Sequence, residues 1–186
     1  MNLKELTWEN HKKAERKEFA KILMSGKIPT RLYYQYLLNQ FVIYSALEEA
    51  LRNVGFDESL HTVFRSSAIA KDLEELEYTH SFTPEEKDIL PVSKEYQKYI
   101  DTIKEDKEAL ISHMYVRHFG DMYGGSMIAK KIPGSGAMYQ FQDKENLKAK
   151  LRNLLSDEMA KEANVCFTFA IKLFEELENV CVGPSH

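Results

Sequence analysis

Five of the chain's eight glycines fall within seventeen residues, at Gly120, Gly124, Gly125, Gly134 and Gly136; the rest are Gly26, Gly55 and Gly183. With five prolines, these chain-breakers make up about 7% of 186 residues, against about 12% in an average soluble protein. So few breakers leave little room for the many turns of a β-sandwich or a doubly wound α/β sheet. Long helices joined by few loops remain, and an all-α fold is predicted. Something between 120 and 136 needs backbone without side chains.

The chain carries 25 basic and 29 acidic residues, a net charge of −4. That balance argues against a nucleic-acid partner, which selects for a basic face. Cys166 and Cys181 have no zinc-ligand spacing. They lie about 22 Å apart along one predicted helix at about 1.5 Å per residue, too far to bridge. The first nineteen residues are charged from the start, and no apolar run approaches the 18 or so residues of a membrane span. A soluble, cytoplasmic, monomeric protein without a membrane anchor is expected. One domain over 1–180 with a short tail over 181–186 fits the length.

Periodicity predicts helices over 2–13, 15–24, 30–54, 57–80 (in two pieces), 93–103, 107–131 and 144–179. Thr30 is the N-cap candidate of the long third helix, and Gly55 its stop. In that helix Leu37, Phe41, Tyr44, Leu47 and Leu51 step by three and four, as a buried face requires. Residues 81–92, with Pro84 and Pro91, read as a connector. Pro133-Gly134-Ser135-Gly136 reads as a loop.

Three glycines inside the helix over 107–131 cost roughly 1 kcal/mol each relative to alanine. At about 100° per residue, Gly120 and Gly124 share a face that Arg117 joins, and Asp121 with Gly125 forms the adjacent stripe. A bare face serves either close packing against another helix or a flat ligand laid against the backbone with Asp121 beside it. On the first helix, Lys4, His11 and Glu15 share one face. A neutral imidazole is the commonest axial ligand of haem iron, and a carboxylate one turn on can hold its orientation. A lone histidine on a polar helix is equally compatible with an ordinary surface residue.

Together these segments resemble the haem oxygenase family. The likeness runs through Leu3-Lys4-Glu5 to His11-Lys-Lys-Ala14-Glu15, then Tyr44-Ser-Ala46-Leu47-Glu48-Glu49, near the family's Y-x-A-L/M-E-E. It continues in Arg117-His118-Phe119-Gly120-Asp121-Met122-Tyr123-Gly124-Gly125-Ser126, near R-Y-L-G-D-L-S-G-G-Q, and in Ile128-Ala129-Lys130-Lys131-Ile132. It closes with Lys148-Ala-Lys-Leu-Arg152 and Leu173-Phe174-Glu175-Glu176-Leu177.

The resemblance implies a helical fold that binds haem between a proximal N-terminal helix and a kinked, glycine-rich distal helix. Haem is then cofactor and substrate, opened with O2 and an external reductant to biliverdin, the IXα isomer, with release of Fe2+ and CO. His11 matches the axial iron ligand and Glu15 the carboxylate that orients it. Gly120, Gly124 and Gly125 match the distal glycines, and Asp121 the distal carboxylate that organises water. Tyr115 and Arg117 match supports of that polar network. Lys4, Lys148 and Arg152 match the cations that meet the haem propionates.

Tyr123 replaces the family's serine and Ser126 its glutamine. The lack of an anchor resembles the soluble bacterial, plastid or phage members. No dinucleotide fingerprint or iron–sulfur spacing is present, so electrons would come from ferredoxin or a flavoprotein reductase. Lys12, Lys13, Lys130 and Lys131 are candidates to meet an acidic donor. Two other readings compete: a non-catalytic haem carrier, and a di-iron oxidase of the same architecture, for which Glu77-x-x-His80 is a single metal-ligand pair.

Overall fold

The computed structural model describes residues 2–181, all helix and connecting turn. The helices are α1 (Leu3–Leu6), α2 (Trp8–Glu15), α3 (Glu18–Met24), α4 (Thr30–Asn53), α5 (Ser66–His80), α6 (Pro91–Thr102), α7 (Lys107–Met114), α8 (Gly120–Ala129), α9 (Lys144–Arg152) and α10 (Ala160–Cys181). Short 3-10 turns interrupt the connections at Glu58–Val63, Glu86–Asp88, Ala137–Tyr139 and Asp157–Met159. α10 runs through Cys181, and the rest of the predicted tail lies outside the described residues.

Local chemistry sets many of the ends. Asn2 caps α1 by accepting from Glu5 N (3.0 Å), and Asp106 caps α7 by accepting from Ala109 N (3.1 Å); such caps satisfy amide donors that have no intrahelical partner. Pro91 opens α6 at a position where its missing N–H costs nothing. Gly55 closes α4 in a left-handed conformation (φ 83°). Pro29, not Thr30, precedes α4, and no side chain caps it.

α4 is the central helix, packed against α5, α6 and α7. Leu37, Tyr44, Leu47 and Leu51 are buried as the spacing requires, but Phe41 is 38% exposed. The buried stripe turns instead through Tyr36, Gln40, Tyr44 and Glu48, four polar-tipped residues at intervals of four. The connector after α5 is tied to α4 by Asn39, whose amide donates to Asp88 O (2.8 Å) while its carbonyl accepts from Leu90 N (2.8 Å) and the Ser93 hydroxyl (2.7 Å).

Three predicted elements come apart. The helix expected over 2–13 breaks at Thr7 into α1 and α2, so Lys4 lies on a different helix from His11 and Glu15. The helix expected over 144–179 is two helices, α9 and α10, because Ser156 turns extended (φ −143°, ψ 159°) and a 3-10 turn follows at Asp157–Met159. That break lets Leu154 and Leu155 pack partly against the core and buries Met159. The helix expected over 107–131 is continuous in path but loosens to a π turn at Tyr115–Phe119, between α7 and α8. A π turn winds through less angle per residue than an α-helix, which shifts the face of everything before it.

The loop after α8 is pinned onto α5. Asp72 accepts from Ala137 N (2.8 Å) and Met138 N (2.9 Å), and Glu75 accepts from Ser135 N (2.6 Å). Buried Arg65 donates to Gln140 O (2.7 Å) and lies over the Phe141 ring (3.8 Å). This pinning sets Tyr139 against α8.

Candidate active site

The glycine cluster divides. A Cβ added at Gly120 or Gly124 would meet nothing within 4 Å, whereas one at Gly125 would lie 2.9 Å from Tyr139 Cδ1. Gly125 therefore answers to close packing, and Gly120 with Gly124 presents bare backbone to open space. Alanine at Gly120 or Gly124 is expected to stabilise the ligand-free protein by about 1 kcal/mol through helix propensity. Alanine at Gly125 is expected to lower stability, since overpacking costs about 1–3 kcal/mol. Melting temperatures of the three variants check this; a Gly125 variant as stable as the other two would contradict the assignment.

Asp121 lies beside the bare face, and its Oδ2 accepts from the Tyr44 hydroxyl of α4 at 2.5 Å. Some of the residue's surface remains accessible, but the carboxyl itself is deep. Burial pushes its pKa up to about 7, against the hydrogen bond from Tyr44 and the charges of Arg65 and Arg117, which lower it; Glu48 raises it further. Near neutral pH this carboxyl can therefore both hold and release a proton.

Arg117 does not join the Gly120–Gly124 face. The π turn rotates it into the interior, where its guanidinium lies 4.4 Å from the Tyr96 ring centroid and its Nε donates to the Tyr96 hydroxyl (3.2 Å). Tyr96 donates to His113 Nδ1 (2.7 Å), and His113 Nε2 donates to Glu162 (2.9 Å). Burial opposes protonation of His113, but Cys166 and Glu162 push its pKa above the ordinary value. On the other side of Tyr44, His118 Nε2 donates to Glu48 (2.8 Å). Burial would raise the Glu48 carboxyl, yet His118 and the amides of Arg65 and Ser66 hold it below its usual range. Tyr115 packs its ring on Phe119 (5.7 Å).

Among the described residues, four buried polar atoms have no protein partner: Tyr33 Oη, Gln40 Oε1, Arg117 Nη2 and His118 Nδ1. Buried groups of this kind are satisfied by water or ligand. Tyr96, Tyr44, Glu48, His113 and Glu162 were not predicted as site residues. For Tyr44, Glu48 and His113 the signal is the interval of four, in Tyr36, Gln40, Tyr44 and Glu48 and again in His113, Arg117 and Asp121, which marks a polar stripe on a buried helix; Tyr96 and Glu162 belong to neither series.

His11 sits on α2 with its side chain 44% exposed, its Nε2 donating to Glu15 at 2.6 Å. Its ring stacks on Trp8 (5.3 Å) and leans on Phe167 of α10 (5.8 Å). Asn10 donates to Asn164 (3.0 Å), fastening α2 to α10. Ala14, Phe167 and Ile171 form a small apolar cluster apart from the main core, and Val116 of the π turn packs against it. α10 thus borders both His11 and the π turn that leads into α8.

On α9, Lys148 is buried and Arg152 exposed; both reach Tyr123 of α8. Lys4 is exposed on α1, which packs against the turn at Asp157–Met159. The Glu77 and His80 pair does not form a metal site: Glu77 accepts from the Tyr34 hydroxyl (2.5 Å) and His80 stacks on Phe82 (5.2 Å). Among the described residues, no group of three His, Cys, Asp or Glu converges on a metal position.

A model of the heme oxygenase family matches residues 1–176. The chain belongs to the haem oxygenase family. It is an oxidoreductase of the class that opens haem. The heme oxygenase of Guillardia theta is 30% identical over 96% of this chain and 85% of the relative. That of Porphyra purpurea is 29% identical over 97% and 86%. Among solved structures, heme oxygenase from Leptospira interrogans superposes with a TM-score of 0.80 at 25% identity, over 95% of this chain and all of that one. Heme oxygenase-1 from the cyanobacterium Synechocystis, in complex with heme, shares the fold with a TM-score of 0.81 at 23% identity, over 97% and 92%. No helix among the described residues of this haem oxygenase is long and apolar enough to cross a membrane.

Proposed function

We propose that this haem oxygenase opens haem to biliverdin IXα, with release of Fe2+ and CO, and that the residues placed above divide the work. The residues fit the substrate. A bare backbone face accepts a flat ring, a half-exposed imidazole is available as an axial ligand, and two cations stand together on α9. Bound haem supplies both the iron that takes up electrons and O2 and the ring that is cut.

His11 would hold the iron through the ring nitrogen that Glu15 does not engage. Glu15 accepts from the other nitrogen, which fixes the ring's orientation. Because the side chain is half exposed, a half-turn about Cβ–Cγ can exchange the two nitrogens. Gly120 and Gly124 would leave a flat ring room against the α8 backbone. Asp121 Oδ2 is occupied by Tyr44, which leaves Oδ1 to hold a proton or a water. Arg117, tethered at Nε by Tyr96, keeps a buried Nη2 with no protein partner, free to bind a water. Lys148 and Arg152 meet the propionates, and Lys4 adds charge from α1.

Electrons come from a separate acidic donor, a ferredoxin or a flavoprotein reductase. Lys13, Lys130 and Lys131 are exposed on the surface, while Lys12 pairs with Glu9 (3.1 Å) beside Trp8. A monomer in the cytoplasm, or in a plastid, is the setting that suits such a donor.

One observation carries the reading: a buried carboxyl poised near neutrality beside two glycines whose faces are open. A carrier needs His11 but has no use for that carboxyl. Adding hemin is expected to give a Soret band, and reductant under air is expected to replace it with bile-pigment absorbance. A Soret band that persists under reductant and air would make this chain a carrier.

A further inference from the structure

Tyr123 is half exposed (50%), stacked on Phe119 at 5.9 Å. Lys148 Nζ lies 4.2 Å from its ring centroid, and the Arg152 guanidinium carbon lies 5.4 Å from it. Arg152 Nη2 also donates a hydrogen bond to the Tyr123 hydroxyl. Two cations one turn apart on α9 are thus gathered on one aromatic side chain of α8. Like charges this close repel, and long side chains resist being held. The ring face attracts both cations, and the hydroxyl orients the planar guanidinium. Among the described residues, Lys148 has a single salt-bridge partner in Glu145, 3.4 Å away. Lysine's three N–H donors and arginine's five exceed these contacts, so each cation keeps donors for a further anion.

We infer that Tyr123 is a positioning residue for the carboxylate edge of the substrate: it holds Lys148 and Arg152 together before the ligand arrives. This rests on the haem reading and adds specificity to it, since the arrangement selects porphyrins with free carboxylates over esterified ones. The serine of the family motif has neither a ring face nor the reach to do this. Ordering two rotamer-rich side chains in advance corresponds to about tenfold in affinity.

The test titrates the ligand-free protein with hemin and with hemin dimethyl ester, in the parent, Tyr123→Phe and Tyr123→Ser. Tyr123→Ser is expected to weaken hemin binding about tenfold and Tyr123→Phe about threefold, with ester affinity unchanged in both. Without any ligand, the Arg152 Nε–H resonance is expected to show a ring-current shift in the parent that disappears in Tyr123→Ser. Unchanged hemin affinity in Tyr123→Ser would overturn the inference. An equal loss for the ester would also overturn it, by making Tyr123 a packing surface for the macrocycle. Tighter hemin binding would overturn it by making Tyr123 a competitor for the cations. Failure of the parent to bind hemin would overturn the haem reading itself, and is told apart because the NMR contact would survive.

Discussion

Replacing His11 with alanine is expected to lower biliverdin formation by more than a hundredfold while leaving the ligand-free protein folded. The two effects separate because of where the side chain sits. It is half exposed and touches Trp8, Phe167 and Glu15, so its loss removes little buried surface. Surface changes of this kind usually stay within about 0.5 kcal/mol. In its proposed role of holding the haem iron, however, no other imidazole on α2 could replace it. Loss of a group that merely supports a metal ligand costs about 10–100-fold, and loss of the ligand itself should exceed that. The measurement is a hemin titration and turnover assay with and without added imidazole. Imidazole is expected to restore part of the Soret spectrum of the parent. A variant that turns over at the parent rate would remove His11 from the site.

Asp121→Asn is expected to cost about a hundredfold in product formation, the lower range for a positioned acid or base. It is also expected to make the protein more stable at high pH. The sign follows from the fold. Burial holds the Asp121 carboxyl at about 7, above its ordinary 3.8. A group raised in the folded state contributes stability that is full below the unfolded value, and it is lost as pH climbs through the folded one. Above pH 7 the folded protein therefore carries an ionised, poorly solvated carboxylate. The interval from 3.8 to about 7 corresponds to a few kcal/mol at roughly 1.4 kcal/mol per pH unit. Asparagine keeps an acceptor for the Tyr44 hydroxyl and carries no charge. The variant should melt several degrees above the parent at pH 8, at about 2–4 °C per kcal/mol for a chain of this size, and alongside it at pH 4. A melting difference that is the same at both pH values would show that Asp121 does not titrate in this interval. Carbon-13 NMR of the Asp121 carboxyl in the ligand-free protein reads the same ionisation directly.

The two predictions concern residues that local patterns pointed to, and local patterns served well where the interaction is local. His11 and Glu15 are one turn apart on one helix, and the hydrogen bond between them follows from that spacing. Glycine scarcity excluded sheet-rich folds because helices need few turns. The stop at Gly55 follows from a conformation that glycine adopts without strain. The break between α9 and α10 was not legible, because Ser156 leaves the helix only when Leu154, Leu155 and Met159 have a core to enter. The π turn was equally hidden. Its register puts Arg117 against Tyr96, a partner twenty-one residues earlier in the chain.

By itself the sequence determined the all-helical class, the bare backbone between 120 and 125 and the facing pair His11 and Glu15 of α2, since these depend on spacing within one element. The tertiary structure alone decided that Gly120 and Gly124 face open space while Gly125 packs on Tyr139. It alone raised the Asp121 carboxyl to near neutrality and gathered Lys148 and Arg152 on Tyr123. Burial and charge act through space, and each of these outcomes joins elements that the chain keeps far apart.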